Sequence, residues 1–118
     1  MTAGDLAGIE SALGITLPGP YRSAMLVYPL DRTDANAAIA LPDDAKAVTA
    51  FNRFLREQFA DDWRPGYLAI GNSSCGDPFF LDLRGASPAV WSWSHETHEI
   101  AMEAPDLGKW LEVIAAGG

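Results

Sequence analysis

From Tyr67 to Met102 the chain reads as four short apolar runs in close succession, near residues 67–70, 79–83, 89–93 and 98–102. This feature constrains the fold more than any other. The runs are bounded by glycine, asparagine, serine and proline, as strands separated by turns are. The links between them are shorter than the crossover of a dozen or more residues that parallel strands need, so the strands should pair as an antiparallel meander. Pro88 opens the third run, a position where a missing ladder donor is tolerated.

The flanks carry helical spacing instead. Leu6, Ile9 and Leu13 form an apolar stripe that predicts a helix over about 3–13, with Thr2 and Asp5 at capping-box spacing and Gly14 as a stop. After the extended stretch 15–19, Pro20 suits a first helical turn. Tyr21, Ala24, Met25 and Tyr28 then share a face before Pro29 ends the helix. A third helix is predicted over about 43–59. Val48, Phe51, Leu55 and Phe59 form its buried side with Phe54 beside them, and Lys46, Asn52, Arg53, Arg56 and Glu57 lie opposite. A last helix over about 105–115 buries Leu107, Trp110, Leu111 and Ile114. Residues 30–41 read poorly, with Ala37 to Leu41 fitting either a short strand or a docked loop.

Helices, then a meander, then a closing helix predict an α+β fold: an antiparallel sheet of about four to six strands packed against N-terminal helices and a C-terminal helix. The βαβ alternation of a doubly wound sheet is absent. At 118 residues, 48% of them hydrophobic, the chain suits one domain over 1–118 with a substantial core. No internal repeat or low-complexity segment interrupts it.

Composition narrows the partners. No apolar run reaches the roughly 18 residues of a membrane span. The first residues lack the basic and apolar regions of a secretory signal. One cysteine makes no internal disulfide, which fits a reducing cytoplasm. The net charge is −8, strong for a surface of roughly 6,000 Å² by mass scaling. Such a field repels nucleic acid and anionic membranes and speeds capture of basic proteins, although acidity also serves solubility alone.

The loop Gly71-Asn72-Ser73-Ser74-Cys75-Gly76-Asp77 holds the residue types of an active site. Cys75, His95 and either Asp77 or Asp82 supply a nucleophile, a base and an orienting acid. Against this, Cys75 lies in a turn with nothing evident to activate it. A serine-nucleophile elbow is incomplete at both Ser73 and Ser74. His95 and His98 are three apart and follow a strand, unlike a zincin pair on a helix, so no metal is expected. The glycines lack the Lys-Ser/Thr ending of a phosphate-binding loop. A packed turn fits this loop as well as a reactive one, and no catalytic residue, metal or cofactor is assigned. Trp91 and Trp93, two apart on a strand, share a face and suit core packing or an interface. An exposed Trp63 or Trp91 would suggest self-contact, and the oligomeric state is open.

The acidic residues Asp31, Asp34, Asp43 and Asp44 cluster in sequence, as do Glu57, Asp61 and Asp62 at the end of the third helix. Negative charge at a helix C-terminus opposes the dipole, so it suits either a functional use or a merely solvated end. Together with Asp77 and Glu96 on loops, Asp31, Asp34, Asp43, Asp44, Asp61 and Asp62 are the candidate partner-binding residues.

Several words in order resemble one family. Ile9-Glu10 to Leu13-Gly14, then Leu17-Pro18 and Tyr21, resemble the opening of the SUKH superfamily, the Smi/Knr-like domains. Ala69-Ile70-Gly71, Gly76-Asp77, Phe80 and Leu81-Asp82 are similar to its central strands and loop. Ala89-Val90-Trp91, Trp93 and His95-Glu96 resemble its next strand and turn, and Trp110-Leu111 its closing motif. Residues 30–50 match poorly. The resemblance implies a non-enzymatic domain in which Leu17, Pro18, Tyr21, Gly71, Gly76, Asp77, Asp82, Trp93, His95 and Trp110 are scaffold positions. It further implies a bacterial immunity protein that neutralises a cognate toxin, or an intracellular interaction module. A toxin that is a nuclease or another enzyme with a basic face would suit the negative charge.

Overall fold

The computed structural model describes residues 1–29, 39–85 and 87–115. Their order is α1 (Ala3–Leu13), α2 (Gly19–Val27), β1 (Ile39–Ala40), α3 (Ala45–Gln58), β2 (Tyr67–Ser73), β3 (Pro78–Asp82), β4 (Val90–Trp93), β5 (Ile100–Ala104) and α4 (Leu107–Ala115). The five strands form one antiparallel sheet in sequential order, the α+β meander expected. Of the segment that read poorly, Ile39 and Ala40 are β1, paired with Ser73 and Asn72. Asp31 and Asp34 lie outside the described residues.

The helix boundaries follow local chemistry. Thr2 Oγ1 accepts from Asp5 N–H (3.1 Å) and the Asp5 carboxylate accepts from Thr2 N–H (2.9 Å), closing the capping box of α1. Gly14 takes the left-handed conformation (φ 67°) that ends it. Glu10 then accepts from Leu17 N–H (2.8 Å) and pairs with Arg22 (2.9 Å), tying the exit of α1 to the entry of α2. These two partners, the Leu17 N–H foremost, hold the Glu10 carboxyl below its usual range. At the end of α2, Tyr28 leaves helical geometry (φ 54°) just before Pro29, which cannot follow a helical residue without a clash. Its hydroxyl donates to Leu41 O at 2.6 Å.

Each face of the sheet carries a buried cluster, which follows from alternation along each strand, while β5 is exposed from Ile100 to Glu103. On one face Leu68, Ile70, Phe79, Leu81, Val90 and Ala104 pack with the stripes of α1, α2 and α4. On the other, Tyr67, Ala69, Phe80 and Trp93 pack with Leu55 and Trp63, and Phe51, Phe59 and Trp91 complete the cluster. Helix α3 serves both, sending Val48 to the first core and Leu55 to the second. Its Asn52 bonds the backbone of Ala69, so it lies against β2.

Two expectations for α3 are corrected. Asn52 is fully buried, not on the solvent side, and Phe54 is 49% exposed, not buried beside Phe51. Strand β1 borders β2 only at Asn72 and Ser73, so the polar backbone of Ala69 needs another partner, and Asn52 supplies it. Trp63 is buried at 3% exposure and Trp91 half-buried. Gly71 belongs to β2 and not to the loop, so the turn proper is Ser74 to Asp77.

Candidate functional site

The register of the meander assembles a site at one end of the sheet. Phe79 pairs with Ser92, so the residues preceding β3 meet those following β4. Asp77 therefore reaches His95: its Oδ1 accepts from His95 N–H (3.1 Å) and contacts the ring Nδ1. The hairpin turn that presents Asp77 is closed by Ser73 N–H to Asp77 O (2.9 Å), by Gly76 N–H to Ser73 O (2.9 Å), and by Gly76 at φ 88°. The same turn leaves Cys75 exposed.

The next turn repeats the pattern. Between β4 and β5, Ser94 N–H donates to Glu99 O (3.0 Å) and His98 N–H to Ser94 O (2.7 Å). His98 sits at φ 61°, a left-handed position that histidine tolerates better than most side chains. There its Nδ1 meets Asp62 Oδ2 at 2.6 Å, from the turn that follows α3. Trp93 lies between these pairs, its ring edge-on to Phe59 (4.7 Å) and to His98 (5.3 Å). Phe54, Phe59, Trp93, Cys75 and His95 line a shallow depression of about 200 Å³. Exposed Asp61 and Glu96 lie on the same two turns.

The structure thus divides the acidic candidates. Asp61, Asp62, Asp77 and Glu96 belong to this end. Asp43 and Asp44 lie at the opposite end of α3, roughly 20 Å away along a helix of this length. There Asp43 accepts from the Met1 ammonium (2.9 Å), and Asp44 caps α3 by accepting from Lys46 N–H (3.1 Å). Asp82 is also engaged elsewhere, paired with Arg84 (3.1 Å), whose hydrogen bonds hold its carboxyl below the usual range.

Chemically, the depression combines an imidazole fixed by a carboxylate with a thiol on the same rim, floored by aromatic rings. His95 uses Nδ1 on Asp77, and Cys75 sits at a hairpin tip instead of a helix N-terminus, the usual activating position for a thiolate. Among the described residues no group of three or more His, Cys, Asp or Glu gathers as a metal site. None of the described helices is long and apolar enough to cross a membrane.

A larger cavity, about 510 Å³, lies elsewhere, between the N-termini of α2 and α4 and the end of β3. Its walls are mostly apolar, and its acids are already committed, Asp82 to Arg84 and Asp106 to Lys109 N–H (2.8 Å). The scaffold positions sort between the two sites. Leu17, Pro18, Tyr21 and Asp82 line the large cavity. Gly76, Trp93 and His95 line the small one, with Asp77 holding His95. Gly71 and Trp110 pack on each other, since a Cβ on Gly71 would fall 2.5 Å from Ala40 O and 3.1 Å from Trp110 Cη2.

The residues that sequence reasoning missed here are His98 and Phe59. The pairing of His98 with Asp62 spans 36 positions and leaves no local signal. A comparison with curated proteins returns no match. Residues 1–113 match the SMI1 / KNR4 family (SUKH-1), and over nearly its whole length this chain, with its paired turns and glycine-dependent sheet, is a member of that family.

Proposed function

We propose that the protein is a cytoplasmic immunity protein of bacterial type, which binds a cognate toxin and blocks its active face. The observation that carries the reading is the pair of carboxylates held by histidines beside the aromatic depression, Asp77 by His95 on its rim and Asp62 by His98 against Trp93, with exposed Asp61 and Glu96 on the adjoining turns. Aromatic anchors inside a polar rim are the usual anatomy of a protein-binding surface. A net charge of −8 favours a basic partner such as a nuclease, whose anionic substrate the carboxylates would mimic. The histidines fix the direction of two carboxylates before binding, which lowers the ordering cost on association.

The test is capture of the neighbouring gene's product by the purified protein, followed by assay of that product's toxicity with and without it. Tight capture with loss of toxicity is expected. Capture without neutralisation would replace immunity with a scaffolding role, in which the same surface recruits another intracellular protein. No capture of a demonstrated toxin would overturn the proposal.

The second reading is a Cys75/His95 hydrolase, favoured by one observation, that both residues line the same depression. Iodoacetamide titration separates the two. An ordinary thiol is expected, and fast alkylation near neutral pH together with turnover lost in Cys75→Ser would establish the hydrolase.

A further inference from the structure

Strand β5 is an edge. It pairs with β4 on one side, and among the described residues no backbone group of another element bonds its outer side. Edge strands are commonly protected by lysine, proline or a covering helix, because a free ladder recruits further strands. Residues 100–104 contain neither lysine nor proline. The edge is also apolar on one face. Trp91 faces Met102 and Trp93 faces Ile100 across the ladder, so all four share a side. Ile100 is 46% exposed and Met102 59%.

Charge selects what can add there. From Gly85 to Gly108 the chain has no lysine or arginine and four acids, Glu96, Glu99, Glu103 and Asp106. Glu103 already accepts from Ser92 Oγ (2.6 Å), and Glu99 flanks the start of the strand. A second copy docking edge to edge would set two such cation-free hairpins against each other. A basic strand meets the opposite condition.

We propose that the outer edge of β5 accepts an extended strand of the partner protein. That strand presents apolar side chains to Ile100 and Met102 and lysine or arginine to Glu99 and Glu103. Main-chain bonds then give affinity and the alternating side chains give specificity. The inference rests on the protein-binding role proposed above and names its surface and mode of recognition.

The probe is an extended peptide of about ten residues alternating valine and lysine, with a valine–glutamate peptide as its counterpart. Titration into isotopically labelled protein is followed by amide shifts and hydrogen exchange. Saturable shifts centred on residues 99–104, slowed exchange of β5 amides, and weakening as salt rises are expected. The variant Ile100→Lys/Met102→Lys, which alters only exposed side chains, should bind about tenfold more weakly or worse. Absence of saturable binding, equal binding of the glutamate peptide, or shifts centred on the large cavity would each overturn the proposal. The wild-type titration decides even if the double variant fails to fold. Toxin capture without peptide binding refutes the edge alone, and peptide binding without capture refutes the immunity reading alone.

Discussion

Asn52 holds both backbone groups of Ala69: its Oδ1 accepts from Ala69 N–H at 2.8 Å and its Nδ2 donates to Ala69 O at 3.0 Å. The same Nδ2 donates to Val48 O at 2.9 Å, one turn back on α3. A side-chain amide thus does the work of a strand where β1 is too short to reach. It also locks α3 to the sheet, and through α3 it fixes where Asp62 emerges.

Replacing Asn52 with alanine should cost about 3 kcal/mol or more, because two buried peptide groups lose their partner. Asn52→Leu should not recover the loss, since volume is not what is missing. Urea unfolding checks this, and a change below about 1 kcal/mol would show that water or a shifted helix replaces the amide.

Gly71→Ala should destabilise by about 1–3 kcal/mol, as an added methyl finds the Ala40 carbonyl and the Trp110 ring already in its place. Strand β1 or Trp110 must move. Tryptophan fluorescence and thermal melting report the two outcomes, and an unchanged melt would mean that the β1 contact yields at no cost.

Tyr21→Phe should be neutral or stabilising near neutral pH. The Tyr21 hydroxyl is fully buried and finds no hydrogen-bond partner among the described residues. Burial above all, and then the negative charge of Asp43, push its pKa up. A pKa raised in the folded state means that this group's contribution is intact below the unfolded value, about 10, and is lost as pH rises beyond it. The wild type should therefore lose stability above about pH 10 more steeply than the phenylalanine variant. Matching alkaline profiles would show that the hydroxyl is not the group responsible.

Asp61→Lys/Asp62→Lys should slow association with the captured toxin by about tenfold at low ionic strength, with the difference narrowing as salt is added. Stopped-flow mixing measures this. Equal rates at low salt would move the binding surface away from the α3 exit.

Much of the architecture was legible because it is written locally. Thr2 and Asp5 make a capping box from three residues' spacing, Gly14 and Pro29 end helices by their own backbone chemistry, and the four short apolar runs are set off by turn residues. The family likeness was also carried by ordered words along the chain, and residues 1–113 match that family. The site was less legible. Asp77 and His95 stood out as residue types, but Asp43, Asp44, Asp61 and Asp62 looked alike. Only the fold sends the first two to a helix cap and the N-terminal ammonium, and Asp62 to a histidine.

The sequence alone determined the four helices, the antiparallel meander after α3 and the acidic charge, because these depend on neighbours within a few residues or on simple sums. Tertiary structure alone decided that Asn52 is buried, that Gly71 lies beneath Trp110, and that Asp77 meets His95 and Asp62 meets His98. Each is a contact between residues far apart in the chain, fixed by strand register and helix placement. No local preference of an asparagine, a glycine or an aspartate encodes such a contact.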